Sequence, residues 1–158
     1  NELTRSAGIL MDPITNGALT DENRQTSVPG IFACGNVLQV HDLVDYVSDE
    51  AEIAGEAAAK YVNGGLNAES TVPTLAGNGV RYVLPQQVHT DSSKDIPLFM
   101  RVTRPFGKVR ITAECSGQPL CSCTRLRAVP GEMEKIVIPA EKLSQTNGKI
   151  TVSLEEIQ

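Results

Sequence analysis

From Val80 onward apolar residues return at every second position, and that period commits half of the chain to strands. Val109, Ile111, Ala113 and Cys115 alternate with Lys108, Arg110, Thr112 and Glu114, and Ile150, Val152 and Leu154 alternate with Thr151, Ser153 and Glu155. Successive side chains on a strand point to opposite faces, so each run has one face to bury and one to wet. Leu98, Met100 and Val102 show the same period, as do Ile136 and Ile138. Turn formers separate the runs at Arg104-Pro105-Phe106-Gly107, Ser116-Gly117-Gln118-Pro119, Pro130-Gly131-Glu132 and Asn147-Gly148. Six or seven short strands at this spacing predict an antiparallel β-sandwich of immunoglobulin-like shape over residues 80–158.

The first half has a different texture. Asn16-Gly17 lies between apolar runs and signals a hairpin, because both residues tolerate positive φ. Ile31 to Cys34 is wholly apolar and short, as expected of a buried strand in a parallel sheet. A helix is predicted from Val47 or Ser48 to Val62. Ser48 would cap it, and Asp49 and Glu50 would fall in its first turn, where carboxylates suit the positive helix end. Asn63-Gly64-Gly65 would end it. Residues 66–79, rich in Gly, Asn, Ser, Thr and Pro, read as a linker. The fold class is therefore mixed: an α/β piece over residues 1–65, the linker, and the sandwich.

Bulk properties exclude some functions. A net charge of −5 gives no reason to expect nucleic acid or an anionic membrane surface as partner. No apolar stretch is long enough to span a membrane. The opening Asn1-Glu2-Leu3-Thr4 has no apolar signal region. A cytoplasmic setting follows as the expectation, with the four cysteines as reduced thiols.

Residues 26–36 carry the most specific signal. Val28-Pro29-Gly30 forms a turn, Ile31-Phe32-Ala33-Cys34 follows, and Gly35-Asn36 closes the run. This resembles the second FAD-contacting motif of the pyridine nucleotide-disulfide oxidoreductase superfamily, a Thr ahead of an aromatic-Ala-x-Gly-Asp run near the end of the FAD domain. Thr26, Phe32, Ala33 and Gly35 match, and Asn36 replaces the Asp. Residues 37–55 look most like a bacterial branch known as FAD/NAD(P)-dependent oxidoreductases. The Gly-x-Gly-x-x-Gly pyrophosphate loop is not in the sequence; Gly64-Gly65 and Gly77-x-Gly79 have the wrong spacing. The resemblance thus implies the C-terminal part of a longer enzyme, with the missing N-terminal FAD/NAD(P)-binding portion as its first partner. A partner subunit or a homo-oligomer is a further possibility.

The resemblance also implies a site. Gly35 lets the cofactor approach the backbone, and Asn36 bonds a ribityl hydroxyl through its amide, which offers both an acceptor and a donor. The helix start, with the amides near Ser48, Asp49 and Glu50, would face the flavin N1/C2-carbonyl edge, and NAD(P) would be the co-substrate. His41 and Asp42, in the loop before the helix, are the candidate catalytic pair, since an adjacent carboxylate can fix a histidine tautomer. Cys115, Cys121 and Cys123 are the candidate metal ligands, for zinc or part of an iron–sulfur cluster. However, Cys-x-Cys on a strand spaces its residues by ~7 Å, and no fourth ligand is evident, which favours plain buried thiols. The alternative to the enzyme is a non-catalytic β-sandwich interaction module with an α/β cap.

Overall fold

A computed structural model describes residues 1–66 and 71–158. The chain divides into two compact units, Asn1–Glu69 and Ser70–Gln158. No helix among the described residues is long and apolar enough to cross a membrane.

The first unit is a series of tight turns leading to one long helix. After α1 (Glu2–Ser6), the chain folds back at residues 12–17 and forms an isolated antiparallel bridge between Met11 and Ala18. Asp12 builds that turn by accepting the Ile14 and Thr15 amides through Oδ1 at 2.7 and 2.9 Å. Asn16 takes the left-handed conformation (φ 55°), as the Asn-Gly signal anticipates. Gly17 is required for another reason: a Cβ there would sit 2.0 Å from the Leu38 carbonyl oxygen. A second turn is organised by Asp21, whose Oδ1 accepts the Asn23 and Gln25 amides, each at 2.9 Å.

The segment Ile31 to Cys34 is not a strand of a parallel sheet. It is the return arm of a turn at Val28-Pro29-Gly30. Thr26 N donates to Ile31 O, Ala33 N donates to Arg24 O, and Phe32 makes an isolated antiparallel bridge to Gln25. These backbone groups are spent on the segment just before them. Ile31 remains 37% exposed.

The long helix α2 (Val44–Val62) starts three or four residues earlier than its composition suggests. Leu43 is the N-cap, in extended backbone and with no side-chain cap bond. Ser48 therefore lies inside the helix and donates from Oγ to the Val44 carbonyl, a use open to serine within helices. At the other end Gly64 takes φ 70°, Gly65 N bonds Lys60 O and Gly64 N bonds Tyr61 O. That pair of bonds is the Schellman termination expected of Asn63-Gly64-Gly65.

The second unit has two sheets and one large core. Its strands are β1 (Thr71–Ala76), β2 (Val80–Leu84), β3 (Gln87–His89), β4 (Ile96–Val102), β5 (Val109–Cys115), β6 (Gln118–Arg125), β7 (Glu134–Ile138) and β8 (Ile150–Glu156). A short helix, α3 (Ala140–Leu143), precedes β8. One sheet has the order β3-β1-β8-β5-β6 and the other β2-β4-β7. Buried and less buried positions alternate strictly along β4 and β5. Ile111, Val152, Leu98, Met100 and Ile138 from the two sheets belong to one buried cluster. Ser116 and Gly117 both take positive φ (51° and 79°) and join β5 to β6, as a two-residue hairpin turn requires.

Two expectations change here. The linker assigned to 66–79 contains β1, so the second unit begins well before Val80; residues 67–70 of that linker lie outside the described residues. The sheet is also mixed rather than antiparallel, because β1 runs parallel to β8, with Thr74 opposite Ile150 and Ala76 opposite Val152. Pro73 and the polar flanks of β1 hid its period in the sequence.

Candidate functional site

The turn at Gly35-Asn36 is held from beneath by one buried carboxylate. Gly35 adopts φ 72° and opens a single 3-10 turn, Gly35–Val37. Its amide donates to Glu50 Oε2 at 2.7 Å. His41 Nε2 lies 2.8 Å from the same oxygen. Arg24 Nε donates to Glu50 Oε1 at 3.0 Å. The Arg24 and Glu50 side chains are 4% and 5% exposed, and that of His41 is 4% exposed. Glu50 thus meets a cation, an imidazole and a backbone amide at once, the kind of pairing that burial of a carboxylate demands. Arg24 reaches it from a left-handed position (φ 65°), and its Nη1 also donates to Glu22 O.

Several residues of the 26–36 pattern shape this segment. Thr26 Oγ1 accepts the Val28 amide at 3.2 Å and so starts the Val28-Pro29-Gly30 turn. Gly30 leaves room for the Tyr61 ring, which a Cβ would meet at 2.9 Å. Phe32 packs edge-on against Tyr61, with centroids 6.2 Å apart, which ties the arm to the end of α2. A Cβ on Gly35 would meet Val47 Cγ1 at 3.4 Å. Asn36 is the exposed member. Its Oδ1 accepts the His41 amide at 3.3 Å, and its Nδ2 makes no hydrogen bond among the described residues.

The expected helix-start site moves. Ser48, Asp49 and Glu50 lie in the second turn of α2, where amides are taken up within the helix. Ser48 and Asp49 are exposed, whereas Glu50 turns its carboxylate inward rather than away. The unpaired amides of the helix start belong instead to Val44, Asp45 and Tyr46. His41 is paired with Glu50, nine residues on, and not with its neighbour Asp42, which is exposed. Arg24 does not stand out in the sequence, and Glu50 stands out there only as a carboxylate of the expected helix start. Their 26-residue separation gives no local signal, and only the fold of the turns brings them together.

The cysteines of the second unit are thiols in a sheet. Cys121 and Cys123 sit opposite Ala113 and Ile111 on β6, with Cys115 near the end of β5. All are unbridged. The three sulfurs do not gather within 4.8 Å of one another, so they form no ligand set. Burial, and then the neighbouring Cys123, push the Cys121 thiol up to about 11. Burial also raises Cys123, although Arg125 opposes it.

No family model, curated protein or solved structure matches the chain.

Proposed function

We propose that the chain is the C-terminal part of an FAD-dependent, NAD(P)-linked oxidoreductase and supplies the second FAD-contacting motif of that enzyme. The observation that carries this reading is the Gly35-Asn36 turn. Its backbone is locked by Glu50, its one exposed amide side chain is Asn36, and an uncapped 19-residue helix follows within seven residues. These residues suit the group. Asn36 Nδ2 has a donor to give to a ribityl hydroxyl, and the Val44, Asp45 and Tyr46 amides lie at the positive end of α2, which suits the electron-rich edge of a reduced flavin. Bound there, FAD would supply hydride and electron transfer, and the chain's part would be to hold and orient it.

The packing of the first unit supports the same reading. Among its described residues the buried apolar cluster is Ile9, Ala18 and Leu38, with Val28, Ala33 and Val37 packed against it. Yet Leu3, Leu10, Val40, Leu43, Val44 and Val62 are each more than half exposed. A unit with so small a core and so much apolar surface is what a piece of a larger domain would look like. The two-sheet unit would then serve assembly.

The test is the flavin content of the full-length gene product. It should purify with the visible absorbance of oxidised flavin, and the 158-residue chain should stay colourless after incubation with FAD. Gly35→Val should lower flavin occupancy strongly, because a β-branched side chain fits poorly at φ 72° and crowds Val47. Asn36→Asp, which keeps the acceptor for the His41 amide, should be tolerated. Full occupancy in Gly35→Val would overturn the assignment of the motif.

A further inference from the structure

We infer that Asn147 is a self-modification site, which converts to aspartate and isoaspartate in the folded protein while the fold protects the chain's other Asn-Gly pairs. There are four such pairs, at residues 16–17, 63–64, 78–79 and 147–148. In each, the glycine has no Cβ to shield its own nitrogen or stiffen the backbone. The glycine nitrogen attacks the asparagine Cγ. A new N–Cγ bond forms, the Cγ–Nδ2 bond breaks, and the side-chain nitrogen departs with the amide proton as ammonia. Water then opens the five-membered imide at either carbonyl, which gives aspartate or isoaspartate. The reaction needs only that Nδ2 can leave, that the glycine nitrogen can approach, and that water is at hand.

Three pairs are tied down. Gly17 N donates to Thr15 Oγ1 at 3.2 Å, and the residue is packed against the Leu38 carbonyl. Asn63 Nδ2 donates to Ala59 O at 2.9 Å, and Gly64 N donates to Tyr61 O at 3.0 Å. Asn78 is clamped to β8: its Nδ2 donates to Leu154 O at 2.9 Å, and its carbonyl accepts the Leu154 amide at 2.9 Å. Asn147-Gly148 differs. Among the described residues, neither the Asn147 side chain nor the Gly148 nitrogen makes a hydrogen bond. Asn147 is exposed in the loop between α3 and β8. It lines a surface cavity of about 240 Å3 with Lys142 and Gln145, so water reaches its Cγ. The product places a carboxylate just ahead of β8, and in the isoaspartyl form the backbone is longer by one methylene.

The test is incubation of the 158-residue chain in mildly alkaline buffer, folded and in urea. Peptide mapping by mass spectrometry reads conversion at each pair, and labelling by an isoaspartyl methyltransferase reads the isoaspartyl product. In the folded chain Asn147 should convert at least about five-fold faster than the other three, the factor for one ordinary hydrogen bond that must first open. In urea the four rates should converge. Gly148→Ala should slow conversion at Asn147, because the added Cβ hinders attack. That Cβ meets Cys115 Sγ at 3.6 Å and Ser116 Oγ at 3.7 Å, which is ordinary contact, so the thermal transition should not move. A folded chain in which Asn16, Asn63 or Asn78 leads, or in which Asn147 stays intact while the chain in urea converts, would overturn the inference. So would a Gly148→Ala chain that forms isoaspartate at the wild-type rate.

Discussion

Glu50→Ala should be among the most damaging single changes available to the first unit. It removes the acceptor of the Gly35 amide, of Arg24 Nε and of the His41 ring together. The Arg24 side chain, 4% exposed, would be left as a buried unpaired cation. Breaking a buried ion pair from one side costs about 3–5 kcal/mol, against a total domain stability of about 5–15 kcal/mol. Glu50→Gln should cost less, about 1–3 kcal/mol. It keeps one oxygen, but its NH2 must face either Arg24 or the pair formed by Gly35 and His41, a donor against a donor. The assay is urea unfolding followed by far-ultraviolet circular dichroism, which reads mainly the 19 residues of α2, with hydrogen exchange at Gly35 as the local probe. The midpoint should fall in the order wild type, Glu50→Gln, Glu50→Ala, and Gly35 should lose protection in Glu50→Ala. A Glu50→Ala protein within about 1 kcal/mol of wild type, or one with Gly35 still protected, would refute the view that this carboxylate holds the turn.

Two further outcomes concern the second unit. Because Cys121 ionises only near pH 11 in the folded state and near 9.0 otherwise, the folded form holds its proton where the unfolded form has released it. The contribution is therefore complete below pH 9 and is lost as pH rises towards 11; Cys121→Ala should flatten that part of a stability-against-pH curve, and an unchanged slope would count against it. A chain of residues 71–158 should give a β-type dichroism spectrum and a cooperative thermal transition that a chelator leaves unchanged, since its core is apolar and its thiols do not converge; loss of the fold on chelation would return Cys115, Cys121 and Cys123 to the list of ligands.

What could be read in the sequence divides along physical lines. The period of two in β5 and β8, the Ser116-Gly117 turn and the Asn63-Gly64-Gly65 helix end are local properties, and each is found where the residues place it. The start of α2 was hidden because Ser48 has the chemistry of a cap, while Leu43, the residue that takes the position, has none. The apolar run Ile31 to Cys34 has the composition of a buried strand, but its backbone partners lie on residues 24–26, a pairing that composition does not encode. For the candidate site, Gly35, Asn36 and His41 were legible as a turn and a titratable neighbour. That Glu50 rather than Asp42 holds His41 depends on which face of α2 meets the loop, and that face is set by packing.

The sheet order has a consequence for how the second unit assembles. β8 lies between β1 and β5, so the last strand of the unit to leave the ribosome is the one that joins its two halves. Until Ile150–Glu156 arrives, β1 with β3 and β5 with β6 are separate ribbons, each with a bare edge of unpaired amides and carbonyls. Closing the β1–β8 pair brings together residues such as Thr74 and Ile150, an ordering step of high entropic cost that tends to be slow. During that wait the exposed edges of β1 and β5 invite pairing with other chains. A chain cut just before β8 should therefore aggregate rather than remain a smaller stable sheet.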